Sequence, residues 1–214
     1  MTRQLDYPTL QSIFTRFHAA DAAPQGELHH TNAFTLVVAV ALSAQATDVG
    51  VNKATKALFA LADTPQKMLA LGEAGLIQHI RTIGLYRTKA RHVITLSQKL
   101  IDDYAGQVPS SRAALQSLPG VGRKTANVVL NMWFHHPAQA VDTHVFRVGN
   151  RTGLAPGRDV MAVERAIEDN VPAEFQRHAH HWLILHGRYI CTALKPRCPD
   201  CVIRDLCSYE DKTP

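Results

Sequence analysis

Apolar residues recur along this chain at the three-and-four spacing of an α-helix. Leu10, Ile13, Phe14 and Phe17 repeat in this way, as do Val93, Leu96, Leu100 and Ile101, and later Trp182, Leu183, Leu185 and Tyr189. Each set would lay an apolar stripe along one helix face. Helix starts are marked as well. Asp63-Thr64-Pro65, Pro109-Ser110-Ser111 and Asp159 each place an oxygen-bearing side chain ahead of such a stretch, where it can accept from the first unbonded N–H groups. In the first of these a proline follows the cap, a position that loses nothing by lacking an N–H. The run Val37–Val40 is short enough to suit a strand, but its alanine-rich continuation and helical neighbours favour a buried helix. No alternating strand pairs with hairpin turns occur, nor any repeat or long linker. The pattern predicts an all-α protein of roughly ten helices.

Composition narrows the partners. The 214 residues are 46% apolar, enough for a substantial core, and carry a formal charge of +5. A basic balance favours polyanions, because cations that meet nucleic-acid phosphates release counterions, although charge alone is weak evidence. The first residues, with Arg3, Asp6, Arg16 and His18, have no apolar signal core, and the stretch Ala33–Leu42 is about half the length of a membrane span. A cytoplasmic protein without a membrane partner is expected. All four cysteines fall between Cys191 and Cys207. In a reducing compartment such a cluster calls for a metal rather than disulfides.

Two segments carry the candidate chemistry. In Leu118-Pro119-Gly120-Val121-Gly122-Arg123-Lys124 a short helix breaks at Pro-Gly and another begins at Arg123. Two glycines two apart let the backbone turn sharply and approach a ligand, and the next helix points its first N–H groups at that spot, as a phosphate oxygen requires. A plain helix–helix turn would need neither Arg123 nor Lys124. Beside Arg123 at the positive end of a helix, the Lys124 amine is a candidate nucleophile; an ordinary lysine touching a phosphate is the other reading. Asp142, in Val141-Asp142-Thr143-His144-Val145, precedes a helical run and reads first as its N-cap. The cysteines are spaced Cys191-x6-Cys198-x2-Cys201-x5-Cys207. With only one short knuckle among them, zinc fits less well than an iron–sulfur centre, and the spacing leaves both open.

The run LPGVGRKTANVVL, the segment VDTHV and the four cysteines, in that order, resemble the endonuclease III family of helix–hairpin–helix DNA glycosylases. The resemblance spans about residue 10 to Cys207. It implies a two-domain helical fold with a DNA-binding cleft: residues 26–137 carry the hairpin, and residues 1–25 plus 138–214 form a discontinuous helical domain with a cluster loop at 191–207. It implies a [4Fe–4S] cluster on Cys191, Cys198, Cys201 and Cys207, and DNA-phosphate contacts from Gly120, Val121, Gly122 and Arg123. Lys124 would attack C1′ of a flipped, damaged pyrimidine nucleotide, with Asp142 assisting, and β-elimination would then cut the strand. Gln45, in LSAQATD, would enter the gap left by the flipped base, and Leu85, in GLY, would wedge against the opposite strand. Without the resemblance Gln45 reads as a helix-end polar residue and Leu85 as a core leucine. Lys195 and Arg197 in the first inter-cysteine loop would meet phosphates, and His144 would border the base pocket. The remaining histidines, His178, His180 and His181 among them, read as surface or packing residues. The partner implied is duplex DNA bearing oxidised pyrimidines or abasic sites, acted on by a monomer associated with the bacterial nucleoid. An adenine-mismatch glycosylase lacks the lysine that stands here at 124 and carries a further domain, whereas this sequence runs only seven residues past Cys207. A non-catalytic, cluster-bearing DNA-binding protein is the rival from another class.

Overall fold

Local sequence signals account for most of the helix boundaries. The structure, a computed structural model, describes residues 3–214, which form ten α-helices, two short 3-10 turns and no strand. The chain divides into two compact units: Glu27–Phe134, and the residues up to Gly26 together with His135–Pro214. Among the described residues no helix is long and apolar enough to cross a membrane.

In the unit Glu27–Phe134, helix α2 (Ala33–Ser43) is buried on every face from Phe34 to Leu42, which is why its apolar run shows no helical stripe. Asn32 and Thr35 start it with a reciprocal pair of side-chain-to-backbone bonds. It packs against α3 (Asp48–Leu61), α5 (Tyr86–Tyr104) and α7 (Arg123–Met132). α4 (Pro65–Ile80) begins at the Thr64 cap, and α6 (Arg112–Gln116) at the Ser111 cap. Gly72 interrupts α4 with a φ of 71°, a conformation other residues adopt only under strain.

In the other unit, α1 (Tyr7–Ala20) turns Leu10, Ile13, Phe14 and Phe17 inward. They meet a core supplied by α8 (Thr143–Thr152), α9 (Val160–Asn170) and α10 (Gln176–Tyr189). The Phe14 ring lies 6.0 Å from that of Phe175 and 6.1 Å from that of Trp182. Each such side chain contributes about 1.5–3 kcal/mol by leaving water.

Helix α10 departs from its apolar pattern. Leu185 is only half-buried and Tyr189 is 54% exposed, while His180, His181, His186 and Gly187 are buried. Glycine at 187 explains the orientation. A Cβ there would stand 2.8 Å from the Cβ of His144, so α10 lies against α8 more closely than any side chain would permit. Burial pushes His181 down to about 4 from its ordinary 6.5, with the nearby His178 charge adding to the effect. Among the described residues its Nδ1 has no hydrogen-bond partner. The unfolded chain therefore takes up this proton first as pH falls. The stabilisation is intact above about pH 6.5 and is lost progressively toward pH 4, by about 3 kcal/mol in all. His181→Phe is expected to flatten the decline of Tm across that window, though not to remove it, because His186 is likewise held near 4 by burial. Thermal unfolding followed by circular dichroism checks this; an unchanged slope would place the acid sensitivity elsewhere.

Candidate functional site

Between α6 and α7 the two hairpin glycines have different reasons to be there. Gly120 has a φ of +78°, and a Cβ on it would come within 3.1–3.3 Å of the His92 side chain. Conformation and space both require glycine. Gly122 has an ordinary φ of −85° and would meet nothing within 4 Å. Nothing in the protein demands glycine here, so the open space before it suits a ligand that comes against the backbone. Between them Val121 is buried and its N–H donates to the Leu118 carbonyl at 3.0 Å, which pins the turn. Gly122 caps α7 and has no side chain to offer as a capping oxygen. Arg123 is half-buried at the first helical position, and Lys124 is exposed at the second. The arrangement supplies backbone donors, a helix end and two cations to an anion.

Besides Ala105, which ends α5, two further positions of the same unit stand out by their backbone. Gln45 (φ 54°) and Leu85 (φ 59°) are non-glycine residues in the left-handed region, each costing about 1–2 kcal/mol. Both are exposed, Leu85 at 62%. Leu85 is therefore not a core leucine, and Gln45 lies just beyond the end of α2. The loops are neighbours, since a Cβ on Gly84 would come 3.9 Å from the Gln45 carbonyl. A glutamine and a leucine held outward at a cost in strain are suited to entering a ligand rather than completing a core.

In the other unit, Asp142 caps α8, and its Oδ1 accepts from the N–H groups of His144 (2.8 Å) and Val145 (2.9 Å). The capping role and a chemical role are compatible, because the cap fixes the carboxylate's direction and α8 aims its positive end at it. The His144 ring is drawn toward Arg147, whose Nη2 lies 3.3 Å from its Nδ1. The ring thus has a structural hydrogen bond.

The four cysteines line one cavity of about 330 Å3, a figure that includes its open mouth. Among the described residues no three His, Cys, Asp or Glu side chains close on a point that would hold a single metal ion. All four thiols line this one cavity, and four sulfur donors about one space fit an iron–sulfur cluster. Sulfur is also met by donors: Tyr209 N–H lies 3.4 Å from Cys207 Sγ and Arg151 Nη1 3.7 Å from Cys191 Sγ, while the His186 ring nitrogen Nε2 stands 3.7 Å from Cys201 Sγ. Burial raises the Cys201 thiol to about 11, and the three neighbouring cysteines push it the same way. Cys207 is raised for the same first reason. Four thiolates so placed repel one another unless a cationic centre binds them. On the loop between Cys191 and Cys198, Lys195 is exposed, whereas Arg197 is paired with Asp200 at 2.8 Å. That ion pair already engages the Arg197 guanidinium.

The model of the HhH-GPD superfamily of base excision DNA repair proteins matches residues 38–173. Endonuclease III of Treponema pallidum is 60% identical over 96% of this chain and 97% of its own length. The chain belongs to the endonuclease III family. It is accordingly a DNA glycosylase and abasic-site lyase of base excision repair. Endonuclease III of Escherichia coli is 55% identical over 94% of this chain and 95% of its own length. Among solved structures, a trapped covalent intermediate of endonuclease III with DNA is similar at a TM-score of 0.88 and 45% identity, covering 96% of this chain and 97% of that one.

For a member of the endonuclease III family, the sequence hides part of the support around the cysteines. Arg147 donates from Nε to the Cys191 carbonyl (3.0 Å) and from Nη2 to the Gly187 carbonyl (2.7 Å). One turn on, Arg151 donates to the carbonyls of Thr192 (2.8 Å) and Ala193 (3.1 Å) and lies over the Tyr209 ring at 4.6 Å. These two arginines and His186 hold Cys191 and its loop. The only signal in the sequence was two arginines four apart near a helix end, a pattern also met on solvated helix faces.

Proposed function

We propose that this endonuclease III family member removes oxidised pyrimidines from duplex DNA and nicks the resulting abasic site, with Lys124 as the nucleophile. One observation carries the reading: an exposed lysine in the first turn of α7, beyond a glycine with open space before it and a helix end with no side-chain cap. Gly120, Val121, Gly122 and Arg123 would hold a phosphate beside the damaged nucleotide and so locate the amine.

The Lys124 Nζ forms a bond to C1′ as the glycosidic C–N bond breaks, and the base leaves with the electron pair and takes a proton. Loss of the amine protons and opening of the sugar give a Schiff base between Nζ and C1′. A proton is then lost from C2′ and the 3′ C–O bond breaks, which cuts the strand; water releases the lysine. Asp142 supplies the carboxylate that moves protons at the nucleophile and offsets the positive charge developing on the sugar. Gln45 fills the space of the extruded nucleotide, and Leu85 supports the opposite strand. His144, tied to Arg147, borders the pocket for the damaged base. Lys195, and more weakly Arg197, contacts phosphates.

Cys191, Cys198, Cys201 and Cys207 would hold a [4Fe–4S] cluster, which supplies four iron–thiolate bonds that shape this loop. Action as a monomer on bacterial DNA, with the substrate in duplex form, belongs to the same proposal. The testing experiment uses duplex containing one thymine glycol, incubated with and without sodium borohydride. A covalent adduct with borohydride and a nicked strand without it are expected. Base release with no adduct would demote Lys124 to a phosphate contact.

A further inference from the structure

Beyond Cys207 the chain forms neither helix nor strand, yet it is pinned at four places around the cysteine cavity. Ser208 donates from both its N–H (3.1 Å) and its Oγ (2.7 Å) to the Thr152 carbonyl. Tyr209 lies under Arg151 and gives its N–H to Cys207 Sγ. Lys212 Nζ donates to the Cys207 carbonyl at 2.7 Å. Thr213 Oγ1 donates to the Pro196 carbonyl at 2.6 Å and accepts the Cys198 N–H at 3.2 Å. Tyr209 and Lys212 belong to the cavity wall itself. Exposure follows the same division: Lys212 and Thr213 are half-buried and face inward, while Glu210 and Asp211 are exposed.

We propose that residues 208–213 are a strap across the cysteine cavity that governs retention of the metal centre, with Thr213 as its clasp. This rests on the cluster reading above. Thr213 occupies a distinctive place, because its single hydroxyl ties the segment after the last cysteine to the loop between the first two. The contour from Pro196 to Thr213 thereby becomes a ring that contains Cys198, Cys201 and Cys207. The same hydroxyl takes up the backbone N–H of Cys198, so it also holds one sulfur-bearing residue in position. Thr213 is a positioning residue that touches neither substrate nor sulfur in this arrangement.

The physical argument is one of access. Iron leaves a thiolate site by exchange with ligands from solution, and these must reach the cavity. A segment without regular structure ordinarily opens at little cost, since few hydrogen bonds and contacts resist it. Here several bonds must break together before the segment swings away and the mouth of the cavity widens. When opening is fast, loss proceeds in proportion to the open fraction. Removing the two Thr213 bonds should raise that fraction roughly tenfold.

The test uses the iron-loaded, full-length protein with a water-soluble iron chelator in excess, and follows decay of the visible absorbance of the centre. Thr213→Val keeps the side-chain shape but loses both bonds, and is expected to release iron roughly tenfold faster than the unmodified protein. Thr213→Ser restores the hydroxyl and should return the rate to within about twofold. Lys212→Met, which removes an independent pin, should accelerate release by roughly threefold and guards against a folding defect peculiar to position 213. Far-UV circular dichroism confirms that the helices are intact in each. Release rates for Thr213→Val and Lys212→Met equal to that of the unmodified protein would overturn the strap while leaving the cluster reading in place. Purified protein that carries no iron and inorganic sulfide would overturn both.

Discussion

Lys124→Ala is expected to abolish the borohydride-trapped adduct and to lower strand cleavage at least roughly a thousandfold, because no amine remains to form the Schiff base. Affinity for damaged duplex should change less than about tenfold, since the hairpin backbone, the α7 end and Arg123 still meet the phosphate. The variant should fold normally. Lys124 is exposed in the first turn of α7. A cation near a helix N-terminus opposes the helix dipole, so its removal costs the helix nothing. The measurement is single-turnover cleavage of a thymine glycol duplex beside a binding titration at one salt concentration. Cleavage at the unmodified rate would end the assignment of Lys124 as nucleophile.

The second large effect concerns Asp142, where the cap and the chemistry can be separated by one substitution. Asparagine is as good an N-cap as aspartate. Asp142→Asn therefore keeps the two bonds from His144 and Val145 to the side-chain oxygen and the start of α8, and changes Tm little. It removes the negative charge and the proton-accepting oxygen. Single-turnover rates are expected to fall by about 10^2–10^4-fold, with affinity nearly unchanged. Equal losses in rate and affinity, or an unchanged rate, would confine Asp142 to capping. Asp142→Ala is the useful contrast, because it should also cost about 1 kcal/mol of stability through loss of the cap.

Much of the fold was legible because its signals are local. The caps Thr64, Ser111, Asp142 and Asp159 all act as their positions suggest, each accepting from N–H groups two or three residues ahead. Such bonds depend on nothing distant. Helix α2 was legible from composition rather than period, because a helix buried on all sides has no polar face to mark its rotation. The rotation of α10 was not legible. Its apolar residues suggest one stripe, yet buried histidines and Gly187 occupy the inner face, because close packing on α8 outweighs hydropathy there.

The candidate site divides in the same manner. The hairpin glycines and Lys124 were visible in one short run, but the run could not assign a separate reason to each glycine. That distinction needed the φ of Gly120, the His92 side chain beside it and the space in front of Gly122. The spacing of the cysteines left zinc and an iron–sulfur centre both open, and the structure adds that all four thiols line one cavity. For Gln45 and Leu85, residue type alone argues for helix end and core. Their outward, left-handed backbone reverses that argument.

By itself, then, the sequence determined which segments are helices, where they begin, and which short runs carry an amine, a carboxylate and four thiols. These follow from interactions between residues a few positions apart. Only the tertiary structure decided which side chains are withdrawn from water, which backbone positions bear strain, and that Arg147, Arg151, His186 and Thr213 surround the cysteines. Those outcomes depend on which helices approach one another and how closely, and residues up to 66 positions apart, Arg147 and Thr213, come to surround the same cysteines in ways no local pattern encodes.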